Sequence, residues 1–343
     1  MTMPNRGVDE GVDVLRMARR RSAVRSTGVV VVLLAAFSVW AVTTHGASLY
    51  LQRLIDGVTN GTQYGLAALA LVLVFKATKV INFSQGAMAL MGTYLAYTFV
   101  ESWGMPLALG IVLAMIVSAA GAGALQRTLI RPFDPNNHLA ITIVTLALFL
   151  ILNALVALIW GFQPKGFPTL FPKGADAYIA IGGARLYYSA LGTFLLAVAV
   201  VVLLQLLMSK TRLGLRFRSM ASSVDSAKLV GVNINRTIQG AWAAAAAVGT
   251  LAGCLIAPGT VLDPLMMDKV LIYSFAAATL GGLDSITGAL VGGIVVGLTI
   301  TFLTGYVPAF GGQFGLGCAF LVIIAVLQFR PAGLFGARSM ERV

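Results

Sequence analysis

The sequence predicts an all-α integral membrane protein with about ten transmembrane helices (eight to ten), arranged as two repeat-related halves and with some helices short or broken. Three observations carry that expectation. First, 58% of the 343 residues are hydrophobic and only 10% are charged, against about 25% charged in an ordinary soluble domain; the mean hydropathy is +0.90. No core of this size hides so much apolar surface from water, so lipid must be the solvent. Second, uncharged apolar runs recur at the ~20-residue length that a helix needs to cross hydrocarbon, and only a helix closes all its backbone hydrogen bonds inside one such segment. Third, Lys and Arg gather in alternate connections. The net charge of +12 therefore belongs to loops that flank a membrane. There is no separate basic domain to suggest nucleic acid.

Residues 1–27 carry six Lys/Arg and read as a basic, disordered cytoplasmic leader. Residues 28–336 read as one transmembrane domain and 337–343 as a cytoplasmic tail. The run 28–44 is just long enough to cross with help from its flanks. No clean small-x-small site follows it, so it reads as a retained anchor rather than a secretory signal. The next runs are 57–75, 80–100, 102–126, 139–164, 186–209 and 237–262. Residues 270–283 are short and become a crossing if their helix opens near Asp268. The long run 285–329 is broken into two helices by Gly305, Pro308, Gly311 and Gly312.

Orientation follows from charge. With the N-terminus in the cytoplasm and strict alternation, nineteen Lys/Arg fall on the cytoplasmic side. Five fall outside: Arg53, Lys165, Lys173, Arg185 and Lys269. Both ends are basic, which supports an even number of crossings and places both termini in the cytoplasm of a multi-pass membrane protein.

Other chemistries find no support. Cys254 and Cys318 lie inside apolar runs and read as buried free thiols. Without a CxxC or Cys/His cluster, no metal is expected, and no other bound cofactor is expected either. The two histidines, His45 and His138, fall on opposite faces, and no GxSxG or HExxH is present, so a membrane hydrolase is disfavoured.

Near the middle stands a basic, serine-rich insert, "RFRSMASSVDSAKLVGVN" at 216–233, within a cytoplasmic segment 209–236. Met220, Val224, Ala227 and Gly231 fall near helical spacing. Ser222 with Asp225 resembles a capping box, and Gly231-Val232-Asn233 gives a stop. A positive-inside loop with a surface helix explains these features, and so does a docking helix for a cytoplasmic partner.

"GLRFRSMASSVDSAKLVGVNINR" resembles the coupling segment of LivH-type permeases from branched-chain amino acid ABC importers. The matching positions are Arg218, Ala221, Asp225, Ala227, Leu229, Gly231, Val232 and Asn233. Four further stretches resemble that family in the same order: "QRLIDGVTNGTQYGLAALALVLVF", "VINFSQGAMALMGTYLA", "TLGGLDSITGALVGG" and "FRPAGLFG". The resemblance covers about residues 50–336. Gln85 departs from it where the family often has His, and Asp284 where it often has Gly. The resemblance implies a permease that pairs with a second permease subunit of the sister, LivM type. It implies an extracytoplasmic solute-binding protein that delivers substrate, and two cytoplasmic ATP-binding subunits that dock on a helix at 219–231 through Met220, Val224 and Ala227. The chain has no G-x-x-x-x-G-K-[ST] stretch to cradle ATP phosphates, so the motor is expected on another chain and no catalysis on this one. Branched-chain or related small amino acids are the implied substrates. Urea, amides or another small polar solute are the alternatives within the family, and an ion-coupled secondary transporter is the alternative from a different class.

Two polar groups stand inside apolar runs. Asp56, Asn60 and Gln63 or Tyr64 form one stripe on a helix, which fits an aqueous vestibule or an interfacial helix start. Asn82, Ser84 and Gln85, followed by Gly86, fit either a cap on the third helix or a break lining the substrate path. Gly288/Gly292 and Gly293/Gly297 are small-xxx-small pairs that read as helix-packing contacts. "SQGAMALMG" (84–92) and "SITGALVGG" (285–293) echo each other, consistent with halves at about 50–160 and 237–330.

Overall fold

A computed structural model of the protein describes residues 35–133, 137–172, 174, 176–222, 227, 229, 231–307, 314–329 and 333–336. The basic leader, residues 28–34, the tail 337–343, Pro308, Gly311, Gly312, Val224 and Asp225 lie outside the described residues.

In chain order the helices are α1 (residues 35–45), α2 (Ala47–Thr78), α3 (Gln85–Tyr97), α4 (Leu107–Leu125), α5 (His138–Trp160), α6 (Tyr188–Lys210), α7 (Arg212–Ser222), α8 (Ile234–Ile256), α9 (Met266–Gly281), α10 (Ile286–Tyr306) and α11 (Phe314–Phe329). α3 and α4 each run on into one π turn, Thr98–Ser102 and Gln126–Ile130. Among the described residues, six helices are long and apolar enough to cross a membrane: α2, α4 with its π turn, α5, α6, α8 and α10. α9 and α11 are shorter, with 16 residues each. The helix expected over 57–75 is longer at both ends, because Ala47–Asp56 continues it. A short hairpin, β1 (Tyr178–Ile181) and β2 (Ala184–Tyr187), precedes α6. Gly182 and Gly183 turn it with φ of +56° and +84°, the sign pattern a type I′ turn requires.

The chain divides into two units, the smaller holding the residues up to Gln52 together with Gly182–Ala184. In that unit Ser38 Oγ and Tyr50 Oη share a hydrogen bond of 2.9 Å. The larger unit, Arg53–Ile181 with Arg185–Val343, contains the rest. Within it α8 packs on α3 and α4, and α9 packs on α10, α11 and α3. About two-thirds of the apolar span of α2 and of α8 is buried, but under a third of α5 and under a quarter of α6. α2, α3, α8, α9 and α10 are therefore the inner helices. α5 and α6 turn Leu150, Leu158, Leu195 and Leu203 outward, as helices bathed in hydrocarbon do.

Hydroxyls inside the spans answer the lack of water locally. Thr62, Thr93, Ser274, Thr279 and Thr304 each donate to the carbonyl four residues back, which satisfies the side chain without a partner helix.

The tightest packing is built on glycine. A β-carbon at Gly293 would overlap the Cα of Gly65, and one at Gly297 the Cα of Gly61; Gly57 faces Leu298. On its other side α10 presents Gly288 to Gly281 and Gly292 to Ala277. Backbones thus meet without intervening side chains on two faces of α10. One pair alternates with the other, so α2 and α9 flank the same helix.

At one end of this unit the turns are tied together. Lys79, at the end of α2, has φ of +56°, unusual for a residue with a β-carbon. Its ammonium pairs with Asp284 in the α9–α10 turn, and Lys76 Nζ donates to the Asp284 carbonyl at 3.0 Å. Residues 333–335 close over the same turn: Leu334 and Phe335 N–H donate to the carbonyls of Leu280 and Gly281 at 2.8 and 3.0 Å.

Replacing Gly61 or Gly293 by Leu is expected to force α2 and α10 apart, costing more than the ~1–3 kcal/mol of ordinary overpacking. The variants should lose the monodisperse peak on size exclusion in mild detergent, whereas Gly121→Ala and Gly317→Ala, where an added β-carbon meets nothing within 4 Å, should keep it.

Candidate functional site

At the end of the larger unit away from the Lys79–Asp284 pair lies a cavity of about 390 Å³. Its walls come from the first half of α2, the start of α6, the end of α8 and the start of α9, with the loops 169–171 and 258–260. All four members of the predicted α2 stripe, Asp56, Asn60, Gln63 and Tyr64, line it. The stripe is thus set against a cavity rather than only at a helix start. Gln63 Nε2 donates to the Leu255 carbonyl at 3.2 Å, bracing α2 on α8. The rings of Tyr64 and Tyr273 meet at 4.9 Å, bracing it on α9. Leu170, Phe171, Ile256 and Val270 add apolar surface to the lining.

Below it lies a void of about 10 Å³, close to the smallest volume that holds one water. Gln85, Gly86, Gly249, Leu271 and Ser274 line it, and Val270 lines both spaces. Gln85 Nε2 donates to the Ala245 carbonyl at 3.1 Å, so its amide is held at the edge of the void.

Asn82 and Ser84 are placed differently. Neither lines the cavity or the void, and their relative exposures are 1% and 0%. Asn82 Oδ1 accepts from Ser84 N–H at 3.1 Å and from Ser84 Oγ at 2.6 Å, an Asx-type turn that delivers the chain into α3. The hydroxyl of Ser84 itself makes no cap bond to the helix.

Of the docking helix expected at 219–231, residues 219–222, 227 and 229 are helical among the described residues. α7 begins at Arg212, where Thr211 turns the chain out of α6 and its hydroxyl accepts from Gly214 N–H at 3.4 Å. Residues 227 and 229 are again helical. Met220 and Ala227 are buried in this chain's own core, as is Phe217, so they do not offer a stripe to a partner. The reason is that α7 packs along α6 and α8 and turns Phe217 and Met220 inward. Arg218 is exposed, and Leu213, Leu215 and Leu229 stand out from the surface. Ala221 is helical. Gly231 has φ of +80°, and Val232 N–H donates to the Ala227 carbonyl at 3.0 Å, the bond of a Schellman stop.

Sequence reasoning missed three sets of residues. Gly57, Gly61 and Gly65 repeat every four residues and were legible as a partner ladder for Gly293 and Gly297. Lys269 and Tyr273, one turn apart on α9, are lining residues whose signal was a charge and a phenol in a short apolar helix. Thr193 and Phe171 gave no signal. Among the described residues no group of three or more His, Cys, Asp or Glu is placed to hold a metal ion.

Residues 53–327 match the family model of the branched-chain amino acid transport system permease component. The chain belongs to that family. The high-affinity branched-chain amino acid transport system permease protein BraD of Pseudomonas aeruginosa is 30% identical over 304 residues, covering 86% of this chain and 98% of the relative. LivH of Escherichia coli K12 is 26% identical over 308 residues with the same coverages. A probable LivH permease of Methanocaldococcus jannaschii is 28% identical over 281 residues, 79% of this chain and 88% of its own. Among solved structures, PsaBC from Streptococcus pneumoniae in complex with Fab covers 87% of this chain at 12% identity and a TM-score of 0.45, too distant to bear on function. The matched span begins at Arg53 and contains the cavity, the void and the glycine contacts. The permease is a multi-pass protein of the inner membrane, and its relatives are named as transport components.

Asn82→Ala in this permease is expected to leave Ser84 without its acceptor and to cost about 1–3 kcal/mol, whereas Asn60→Ala, at the cavity wall, should cost under about 0.5 kcal/mol. Thermal melting in detergent checks the difference, with N82A melting clearly below N60A.

Proposed function

We propose that this chain forms half of the translocation pathway of an ATP-driven importer for branched-chain or related small amino acids. A second permease subunit of the sister type forms the other half, an extracytoplasmic solute-binding protein delivers substrate, and two cytoplasmic ATP-binding subunits drive the cycle. One observation carries this reading: in a chain of this family, the α2 polar stripe lines a cavity of about 390 Å³ together with apolar residues such as Leu170, Phe171, Ile256 and Val270. That volume lies in the range of small-molecule sites. A lining that combines charged, amide and apolar groups suits a solute with a polar backbone and a greasy side chain. The relatives' names, which specify branched-chain amino acids, support the same substrate class.

The Lys/Arg asymmetry supports an orientation with both termini in the cytoplasm and the cavity at the outer end. In that orientation the lysine-bound α9–α10 turn and α7 face the cell interior. The coupling surface is then Arg218 with the exposed Leu213, Leu215 and Leu229, while Met220 and Ala227 hold the segment against the bundle. Val224 and Asp225 would complete it.

Two outcomes test this reading. Asp56→Asn combined with Asn60→Ala should lower uptake of labelled leucine by at least tenfold in vesicles that contain the binding protein and ATPase, with the complex still assembled. Undiminished uptake would remove the cavity from the pathway. Arg218→Glu with Leu229→Asp should abolish co-purification of the ATP-binding subunits while the permease still inserts. Retained co-purification would move the coupling surface elsewhere.

A further inference from the structure

The cavity has a roof, and the roof is latched. Residues 161–172 leave α5 and cross the cavity end of the larger unit. Lys165 pairs in antiparallel fashion with Leu262. The Lys165 N–H donates to the Leu262 carbonyl at 3.0 Å and the Leu262 N–H donates back at 3.1 Å. This is an isolated bridge outside any regular strand, so two backbone bonds join two loops that are otherwise independent. Each of these loops contributes to the cavity wall: Thr169, Leu170 and Phe171 from one, Pro258, Gly259 and Thr260 from the other. Three further contacts hold the strap. Phe167 is buried in the core cluster. The Phe171 ring lies on Gly192, where a β-carbon would come within 2.5 Å of it. The Lys165 ammonium sits 5.5 Å from the centre of the Tyr97 ring.

We infer that residues 161–172 form a lid over the outer cavity, latched by the Lys165–Leu262 backbone pair and seated through Phe171 on Gly192, and that release of this latch admits solute. Two observations distinguish it from an inert connection. The lid supplies part of the apolar wall, so the cavity is incomplete without it. Its backbone fastening is also local, a single two-bond bridge, and such a bridge can break while Phe167 stays seated in the core and the inner helices stay packed. Beneath the lid Cys254 lines the cavity yet is only 1% exposed, which provides a native reporter of opening. The inference goes beyond the proposed function, because it concerns how the cavity closes whichever solute passes.

The test uses the full-length permease in detergent with Cys318→Ser, and follows modification of Cys254 by a small charged methanethiosulfonate, resolved by mass spectrometry of its peptide. A hydrogen-bonded antiparallel pair has Cα atoms about 5.5 Å apart, within disulfide range, so Lys165→Cys with Leu262→Cys locks the lid on oxidation. Oxidised protein should modify Cys254 at least tenfold more slowly than the same protein reduced. Lys165→Pro, which removes the donating N–H, and Gly192→Leu, which evicts the Phe171 ring, should each speed modification about tenfold over the parent. Equal rates in the locked, reduced and unlatched proteins would overturn the lid. The oxidised–reduced comparison stands even if either of the other variants fails to fold, since both arms share one chain. In the assembled importer, oxidation should stop leucine uptake and reduction should restore it. If labelling follows the latch but no form transports leucine, the lid stands and the substrate assignment falls; if uptake persists in the locked form, the lid does not gate it.

Discussion

The backbone-to-backbone approach of α10 to α2 on one side and α9 on the other sets everything else in place. In lipid, burying apolar side chains between helices gains nothing over leaving them in the acyl chains, so association relies on close packing and polar contacts. Gly61, Gly65, Gly293 and Gly297 remove the side chains that would hold the two axes apart. An added β-carbon at Gly61 would lie 2.6 Å from the Gly293 carbonyl oxygen, so the α-hydrogen there points at that acceptor. Such contacts are worth about 0.5–1 kcal/mol each, and they are available only at this spacing.

That contact also sets the rotation of α2. Consecutive residues on a helix lie about 100° apart. Asp56, Asn60 and Tyr64 each precede a glycine of the ladder by one residue. Gripping α2 by Gly57, Gly61 and Gly65 therefore turns the polar stripe to a fixed angle from α10, towards α9 and α8. Tyr64 then meets Tyr273 and Gln63 reaches the Leu255 carbonyl. The packing glycines and the cavity residues are interleaved in sequence because they are two faces of one helix with one job each.

This interleaving explains what was legible. Hydrophobic length marked most of the helices, because lipid leaves the backbone few options. Glycine spacing marked the packing faces of α10, and polar residues within an apolar run marked the α2 stripe. Less could be read where a residue's role depends on a neighbour far away in sequence. Asn82 and Gln85 look alike as polar residues at the head of a helix, but only Gln85 reaches the void, because α8 and α9 pack beside it. Met220 and Ala227 have the spacing of an exposed stripe, and the pattern cannot say whether the apolar side of α7 turns towards its own bundle or away. The roof was invisible because it rests on backbone bonds between Lys165 and Leu262, which no side-chain pattern encodes.

The two ends of the larger unit are closed by different means, and the difference bears on function. The lysine end is fixed redundantly, by an ion pair, a lysine–carbonyl bond and two backbone bonds from residues 334 and 335, all converging on Leu280–Asp284. The cavity end is covered by a strap with few fastenings. Between them lie the cavity of about 390 Å³ and the void of about 10 Å³, with Val270 lining both. α9 lines both spaces at Val270 and is anchored through the glycine contact with α10 and the Asp284 turn. The cavity wall takes Ser189 and Thr193 from the start of α6, so α7, which follows the far end of α6 and packs along α6 and α8, lies at the lysine end with these fastenings.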